Sequence, residues 1–175
     1  MKIFYPHLLI VTLILFFSSC SVNDNWTSGT LDFRMSAVTD QTGYFLDSKT
    51  IYPENITVNG YVSDFQFRSA QIVVSGVGAN DILPGDELVD VRVYVDNITP
   101  LQLGDISVYT NNNGEVVAYI SGNDLNSYLF HAIENMRQFG NSRISVDGYL
   151  YHGNTRIPGA RLFIDFYNDL DVNVQ

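Results

Sequence analysis

The chain has 175 residues, 46% hydrophobic and 16% charged, which is enough for one folded domain with its own core. Its 9 basic and 19 acidic residues give a formal charge of −10, which disfavours phosphate backbones and predicts no nucleic-acid partner. The one cysteine excludes an intrachain disulfide, so the stability of the domain must come from its core.

The first segment has the parts of a secretory signal peptide. Met1-Lys2 provides a positive start, and residues 8–17, LLIVTLILFF, form an apolar run that is too short to span a bilayer. Ser18 and Ser19 supply small residues before the only cysteine, Cys20. We therefore expect residues 1–19 to be a signal peptide that is removed.

The four residues Phe17-Ser18-Ser19-Cys20 resemble the lipobox of bacterial lipoproteins, although Phe17 stands where Leu is usual. The resemblance implies that Cys20 is lipidated and anchors the chain to a membrane of a Gram-negative cell envelope. Ser21 follows the cysteine, where Asp often signals retention in the inner membrane, so the outer membrane is the implied location. The alternatives are an exported protein with an unmodified Cys20 and an uncleaved membrane anchor.

The chain after Cys20 divides into a tether and one β domain. Residues 20–29 are polar and without periodicity, which predicts a tether. Residues 30–175 contain short runs rich in Val, Ile, Tyr, Phe and Thr, separated by Gly, Asn, Asp and Pro, which predict an antiparallel two-sheet β-sandwich domain. The predicted strands are 30–38, 54–62, 70–77, 87–95, 105–110, 115–121, 143–151 and 160–168.

Two stretches have more specific patterns. In the predicted strand 87–95, alternation places four valines on one buried face. Residues 110–116, TNNNGEV, join two strands through Asn and Gly, which predicts a hairpin. The four valines are Val89, Val91, Val93 and Val95.

One amphipathic α-helix is predicted over residues 123–139. Its apolar residues recur at spacings of three and four, Asn123 or Asp124 can cap its start, and Gly140 can end it. The predicted buried residues are Leu125, Leu129, Ala132, Ile133 and Met136.

Two longer-range similarities bear on the architecture. Residues 91–118 resemble part of the immunoglobulin-like sandwiches of the water-stress protein type, which implies a fold and no function; residues 97–100, NITP, interrupt that pattern. Residues 56–62 and 144–150 match in residue type at every position. This echo indicates either two related halves or chance agreement between strands that use the same few residues.

The chain offers few groups for catalysis, and we expect no enzymatic activity and no cofactor. Ser127, His131 and Glu134 are one helical turn apart, but on the face opposite the apolar one, where a triad would lack a buried base and oxyanion donors. His152 is expected in an exposed turn between two strands, and it and His131 have no nearby cysteine, so no zinc site is predicted.

Acidic residues form two clusters that could bind calcium, but the EF-hand spacing is absent and Leu83-Pro84 interrupts the first cluster. Carboxylates such as Asp90 and Asp96 could serve a glycosidase only if they faced each other, and strand positions of this kind are solvent-facing by default. The clustered residues are Asp81, Asp86, Glu87 and Asp90, and then Asp169 and Asp171.

Tyrosine is the last candidate group. Exposed rings stack on the C–H faces of sugars, but tyrosine is also common in half-buried strands, and cross-strand packing is the preferred interpretation. Trp26 is placed in the tether, where no platform would hold it. The tyrosines in question are Tyr44, Tyr52, Tyr61, Tyr94, Tyr109, Tyr119, Tyr149 and Tyr151.

Three functions remain from the sequence. The first is a lipid-anchored envelope lipoprotein, with a non-catalytic domain that binds or scaffolds envelope proteins or glycans. The second is a glycan-binding accessory protein at the outer surface, which requires a row of exposed tyrosines. The third is a hydrolase, which requires two carboxylates facing each other in a cleft.

Overall fold

The computed structural model describes residues 25–175, and the predicted signal peptide and Cys20 lie outside the described residues. Within them the chain is mainly β, with two antiparallel sheets and one α-helix, as the sequence predicts. The strands are β1 Trp26–Thr30, β2 Phe33–Val38, β3 Tyr44–Ile51, β4 Val62–Gly76, β5 Asp86–Val95, β6 Leu101–Ser107, β7 Tyr109–Thr110, β8 Val116–Ser121, β9 Ser142–His152, β10 Thr155–Arg156 and β11 Arg161–Val174. The helix, α1, is Asn123–Phe139, and a 3₁₀ turn covers Pro53–Asn55.

The two sheets have different strand orders. In the six-stranded sheet the order is β1-β11-β4-β8-β7, and β2 also pairs with β11. In the five-stranded sheet the order is β10-β9-β5-β6, and β3 also pairs with β9. The long strands β4 and β11 form the centre of the first sheet, while β9 forms the centre of the second.

The hydrophobic core lies between the sheets because alternate residues of each strand point inward. In β11, Leu162, Ile164 and Phe166 are completely buried, whereas the residues between them face outward. Phe166 also stacks on Phe33 of β2, with ring centroids 4.5 Å apart.

Helix α1 packs its apolar face into this core, and the prediction for 123–139 is confirmed. The Tyr128 hydroxyl accepts a hydrogen bond from the Val95 N–H of β5 (3.2 Å), and Asn126 Oδ1 accepts one from the Ala70 N–H of β4 (2.8 Å). The helix therefore links the two sheets. Gly140 ends it with φ of 80° as predicted, but its N-cap is Gly122 in place of Asn123 or Asp124.

Strand β5 contains a bulge that changes which residues face the core. Its pairing with β9 is shifted between Val89 and Arg92, and Asp90 has φ of 54°. As a result Leu88 and Val91 are both buried, whereas Val89 is only half-buried. The prediction that Val89 shares the face of the other three valines is therefore wrong, because the bulge moves it to the other face.

The domain begins earlier than the sequence predicts. Residues Trp26–Thr30 form β1, which pairs with β11 from Trp26 opposite Asn173 to Thr30 opposite Asp169. The second half of the predicted tether, including Trp26, is therefore part of the sheet. The strand was missed because its polar residues gain their partners from the far end of the chain.

The two echoing segments have different structures. Residues 144–150 lie inside β9, but residues 56–62 follow the 3₁₀ turn and make only an isolated bridge, Thr57 with Thr30, before β4 begins at Val62. The predicted strand 54–62 is therefore wrong, and the structure gives the two segments no common role.

The predicted hairpin at 110–116 is confirmed: it joins β7 and β8, and Gly114 has φ of 82°.

Strand β3 is not predicted by the sequence, because Asp47, Ser48 and Lys49 interrupt the apolar alternation.

Candidate binding site

The outer face of the six-stranded sheet carries a groove of about 700 Å³. Its floor is a row of outward-facing residues across neighbouring strands: Tyr119 of β8 opposite Val73 of β4, and Val73 opposite Asp165 of β11. Residues 76–82 form one wall, and residues 114–116 of the β7–β8 hairpin form another. The groove is therefore built from a flat sheet face bordered by two loops.

Exposed aromatic rings lie in and beside this groove. The exposed fraction is 37% for Tyr119 and 46% for Tyr167, and both line the groove. Tyr109 of β7 extends the row, with its ring centroid 6.0 Å from that of Tyr119. The arrangement offers ring faces to a ligand lying across the sheet.

An ion pair provides the polar part of the floor. Arg34 of β2 donates two hydrogen bonds to Asp165, at 2.6 and 2.9 Å, and its guanidinium lies 4.1 Å from the centroid of the Phe163 ring. The hydrogen bond to Asp165 raises the pKa of Arg34 above its ordinary value. Arg34 therefore stays charged, and the pair presents guanidinium donors beside carboxylate oxygens.

The Tyr167 hydroxyl remains protonated in the groove. Burial raises the pKa of Tyr167 above its ordinary value, and the negative charge of Asp165 raises it further. At neutral pH this hydroxyl can therefore donate a hydrogen bond as well as accept one.

The wall at residues 76–82 is fixed by Asp81. Its carboxylate accepts a hydrogen bond from the Gly78 N–H (2.6 Å) and pairs with the Arg161 guanidinium at 3.2 Å. Burial alone would raise the pKa of Asp81, but the hydrogen bonds from Arg161 and Gly78 lower it overall. Asp81 thus stabilises the loop as an anionic hydrogen-bond acceptor, and it is not part of a cluster of carboxylates that could bind a metal ion.

The other acidic candidates are also engaged separately. Asp86 is buried and lies 2.7 Å from the Nδ1 of His152. His152 is exposed as expected, but it is the last residue of β9 and not part of a turn, and it has a partner. Asp169 accepts a hydrogen bond from Ser69, and Asp171 lies 3.6 Å from Arg68. Within residues 25–175, no group of three or more His, Cys, Asp or Glu side chains could hold a metal ion.

The remaining acidic candidates lie on strand β5 and after it. Glu87 is half-buried on β5, and Asp90 is exposed at the bulge, where its N–H donates to Asp105. Asp96 accepts hydrogen bonds from Ser142 and Asn135 and so ties the end of β5 to β9 and α1. Asp90 and Asp96 therefore have separate structural partners.

The three helix residues with triad-like spacing do not form a triad. Ser127 and His131 are exposed, and Glu134 binds Arg137 at 2.9 Å. Ser127 and His131 occupy the solvent-facing side of α1, as the sequence predicts, whereas Glu134 is half-buried. No helix among residues 25–175 is long and apolar enough to cross a bilayer.

The outer face of the five-stranded sheet holds a second polar cluster, centred on Asp147 of β9. Arg92 donates two hydrogen bonds to its carboxylate, at 2.8 and 2.7 Å, and the hydroxyls of Tyr44 and Tyr94 donate at 2.9 and 3.1 Å. The Asp147 side chain is only 5% exposed. This carboxylate is saturated by its neighbours and is less available to a ligand than the groups of the groove.

The predicted tyrosines separate by sheet. Tyr109 and Tyr119 belong to the exposed row beside the groove, and Tyr52 and Tyr61 are exposed in or next to loops. Those on the outer face of the five-stranded sheet are half-buried, and cross-strand packing holds for the Tyr44 and Tyr149 rings, 5.3 Å apart. The half-buried set is Tyr44, Tyr94, Tyr149 and Tyr151.

The sequence analysis missed Arg34, Asp165 and Tyr167, which line the groove, and Phe163, whose ring lies against Arg34. The alternation of the last strand, with Phe163, Asp165 and Tyr167 at every second position, could have placed these side chains on one face. The partnership with Arg34 could not be found in this way, because β2 lies far away in the sequence.

Comparisons with known proteins find no matching family model and no matching curated protein. Among solved structures, the chain is similar to one of Desmodium yellow mottle tymovirus, at 8% identity and a TM-score of 0.38, covering 87% of this chain and 90% of that one. It is also similar to the coat protein of Tobacco streak virus, at 9% identity and a TM-score of 0.38, covering 90% and 92% of the two chains.

Proposed function

We propose that this protein is a lipoprotein of the Gram-negative cell envelope, anchored through Cys20, whose β domain binds other envelope components without catalysis. The observation that carries the proposal is the lipobox-like Phe17-Ser18-Ser19-Cys20 at the end of an apolar run. The outer membrane is the proposed location, because Ser21 stands where a retaining Asp would be.

The position of the domain supports this proposal. Strand β1 begins at Trp26, so the chain from Cys20 to the first strand can extend only about 20 Å, at ~3.3–3.6 Å per residue. A lipidated Cys20 would hold the domain beside the bilayer and leave its two sheet faces open to partners.

The anchor is tested by expressing the full chain in a Gram-negative host and separating membrane from soluble fractions. We expect the wild-type protein in the membrane, with a mass increase on Cys20 that matches acylation, and the Cys20→Ser variant in the soluble fraction. Ser21→Ala is the matched control and should behave as wild type. Quantitative recovery of Cys20→Ser with the membrane would overturn the proposal.

The second candidate function is glycan binding, and the groove on the six-stranded sheet favours it. Tyr119 and Tyr167 offer exposed ring faces, and the Arg34–Asp165 pair offers fixed donors and acceptors beside them. A neutral sugar has C–H faces that stack on aromatic rings and hydroxyls that both donate and accept hydrogen bonds.

The same geometry is unfavourable for a hydrolase. Both oxygens of Asp165 are bound by Arg34, and Glu115, the other carboxylate that lines the groove, binds Asn111 of its own hairpin. Neither carboxylate is placed as a free acid or base, so a non-catalytic role is part of the proposal.

Glycan binding is tested with the purified full-length protein on a panel of immobilised neutral and acidic polysaccharides. We expect retention on a neutral polysaccharide, because the acidic protein repels acidic ones. Tyr119→Ala and Tyr167→Ala should each weaken binding about tenfold, equivalent to about 1.4 kcal/mol. Tyr52→Ala, which removes an exposed ring outside the groove, is the control; equal losses in all three variants would contradict a site in the groove.

A further inference from the structure

Three separate segments meet at the end of the domain where the described chain begins. The Thr30 N–H donates to the Thr57 carbonyl (3.1 Å), the Val174 N–H to the Asn25 carbonyl (3.2 Å), and the Gln175 N–H to the Tyr61 carbonyl (3.0 Å). These contacts join residues 25–31, 55–63 and 172–175 into one surface, which we call the uncharged end.

No Asp, Glu, Lys, Arg or His occurs in these three segments, although the whole chain has 9 basic and 19 acidic residues. The nearest charged residues along the chain are Asp24, Asp32, Glu54, Asp64 and Asp171. At the border of the surface, Arg68 donates a hydrogen bond to Ser28 (3.4 Å) and pairs with Asp171 at 3.6 Å. The residues of the three segments therefore have no charge of their own to desolvate where they meet a surface of low polarity.

Two exposed aromatic side chains project from the uncharged end. Tyr61 is 75% exposed, the highest value among the large hydrophobic side chains of residues 25–175, and Trp26 is 39% exposed. Trp26 is held by the pairing of β1 with β11, and Gly60, with φ of 126° and packed on Val174, fixes the chain before Tyr61. Tryptophan and tyrosine are enriched where a protein meets the headgroup region of a bilayer, because their rings are apolar and their N–H or O–H groups are polar.

We propose that the uncharged end rests on the lipid headgroup region of the bilayer that anchors Cys20, with Trp26 and Tyr61 in the interface. This inference rests on the proposed lipid anchor. Cys20 precedes Trp26 by six residues, and a stretch of this length reaches only about 20 Å. The lipid surface is thus the nearest large partner for this end.

The test uses Trp26 as a probe, since it is the only tryptophan of the chain. The full-length lipidated protein is placed in phosphatidylcholine vesicles, and Trp26 fluorescence is measured with brominated lipids and with aqueous acrylamide as quenchers. We expect quenching by the brominated lipids, an emission maximum shifted to shorter wavelength, and reduced quenching by acrylamide relative to the soluble Cys20→Ser protein. Tyr61→Ala should reduce the quenching by brominated lipids.

The matched control moves the probe to the far end of the sheet with the variant Trp26→Phe/Val38→Trp. Val38 is exposed at the end of β2 and pairs with Arg161, whereas Trp26 pairs with Asn173. At ~3.3 Å per residue along β11, the two positions are about 40 Å apart. The control tryptophan should be open to acrylamide and insensitive to brominated lipids.

Each outcome separates the two proposals. If Trp26 in membrane-bound protein is quenched as in the control variant, the lipid contact is overturned while the anchor stands. If the wild-type protein carries no acyl group and does not join the vesicles, the proposed anchor itself fails. Protection from acrylamide without quenching by brominated lipids, increasing with protein density, would indicate a second copy on the uncharged end and overturn the lipid contact.

Discussion

At the scale of single residues, Asp147 shows how one carboxylate organises a sheet face. From β9 it accepts hydrogen bonds from Arg92 and Tyr94 of β5 and from Tyr44 of β3, so it joins three neighbouring strands. Burial raises the pKa of Tyr44 to about 12, and the hydrogen bond to Asp147 and its negative charge act in the same direction. The Tyr44 hydroxyl therefore donates to Asp147 throughout the physiological range.

This shift predicts a loss of stability in alkali. Because the pKa of Tyr44 is raised from 10.0 to about 12 in the folded protein, its contribution is fully present below pH 10 and is lost as the pH rises towards 12. Tyr44→Phe should lower the free energy of unfolding at neutral pH by about 1 kcal/mol and reduce its decline above pH 10. Denaturant unfolding across this range measures both effects, with Tyr61→Phe as the exposed control; an unchanged alkaline decline in Tyr44→Phe would contradict this assignment.

At the scale of elements, the packing of β3 on β9 depends on a glycine that the local sequence presents as part of a turn pair, Asp147-Gly148. The pair lies in the middle of β9, where Phe45 of β3 stands opposite Gly148. A Cβ at Gly148 would lie 3.0 Å from the Phe45 ring and 3.2 Å from the Val89 carbonyl oxygen. Phe45 is 1% exposed, so its ring has no open space to move into.

Gly148→Ala is therefore expected to lower the free energy of unfolding by about 1–3 kcal/mol through overpacking. Thermal or denaturant unfolding measures the loss, and Ser145→Ala, on the outward face of the same strand, should change it by less than about 0.5 kcal/mol. In a Phe45→Leu background the cost of Gly148→Ala should be smaller, since the ring edge is gone. An equal cost in both backgrounds would show that Phe45 is not the obstacle.

At the scale of the whole molecule, the groove and the uncharged end are both on the six-stranded sheet but at different heights. Asp165, in the floor of the groove, is eight residues along β11 from Asn173, which pairs with Trp26. At ~3.3 Å per residue this is about 25 Å. A domain resting on its uncharged end would therefore hold the groove clear of the headgroups, where it could meet a polysaccharide, so the two proposals are geometrically compatible.

The sequence by itself determined the elements whose signals are local. The period of α1, the Asn-Gly hairpin before β8 and most of the alternating strands depend on residues within a few positions of each other, and these predictions are confirmed. The two-sheet architecture followed from the spacing of those strands.

Only the tertiary structure decided which strands are neighbours and what their faces carry. Trp26 became part of a sheet because Asn173 lies opposite it, and Val89 turned outward because a bulge shifts β5 against β9. Arg34 and Asp165 form the floor of the groove although 131 residues separate them. Such pairings depend on contacts between segments that are distant in the chain, and local periodicity carries no information about them.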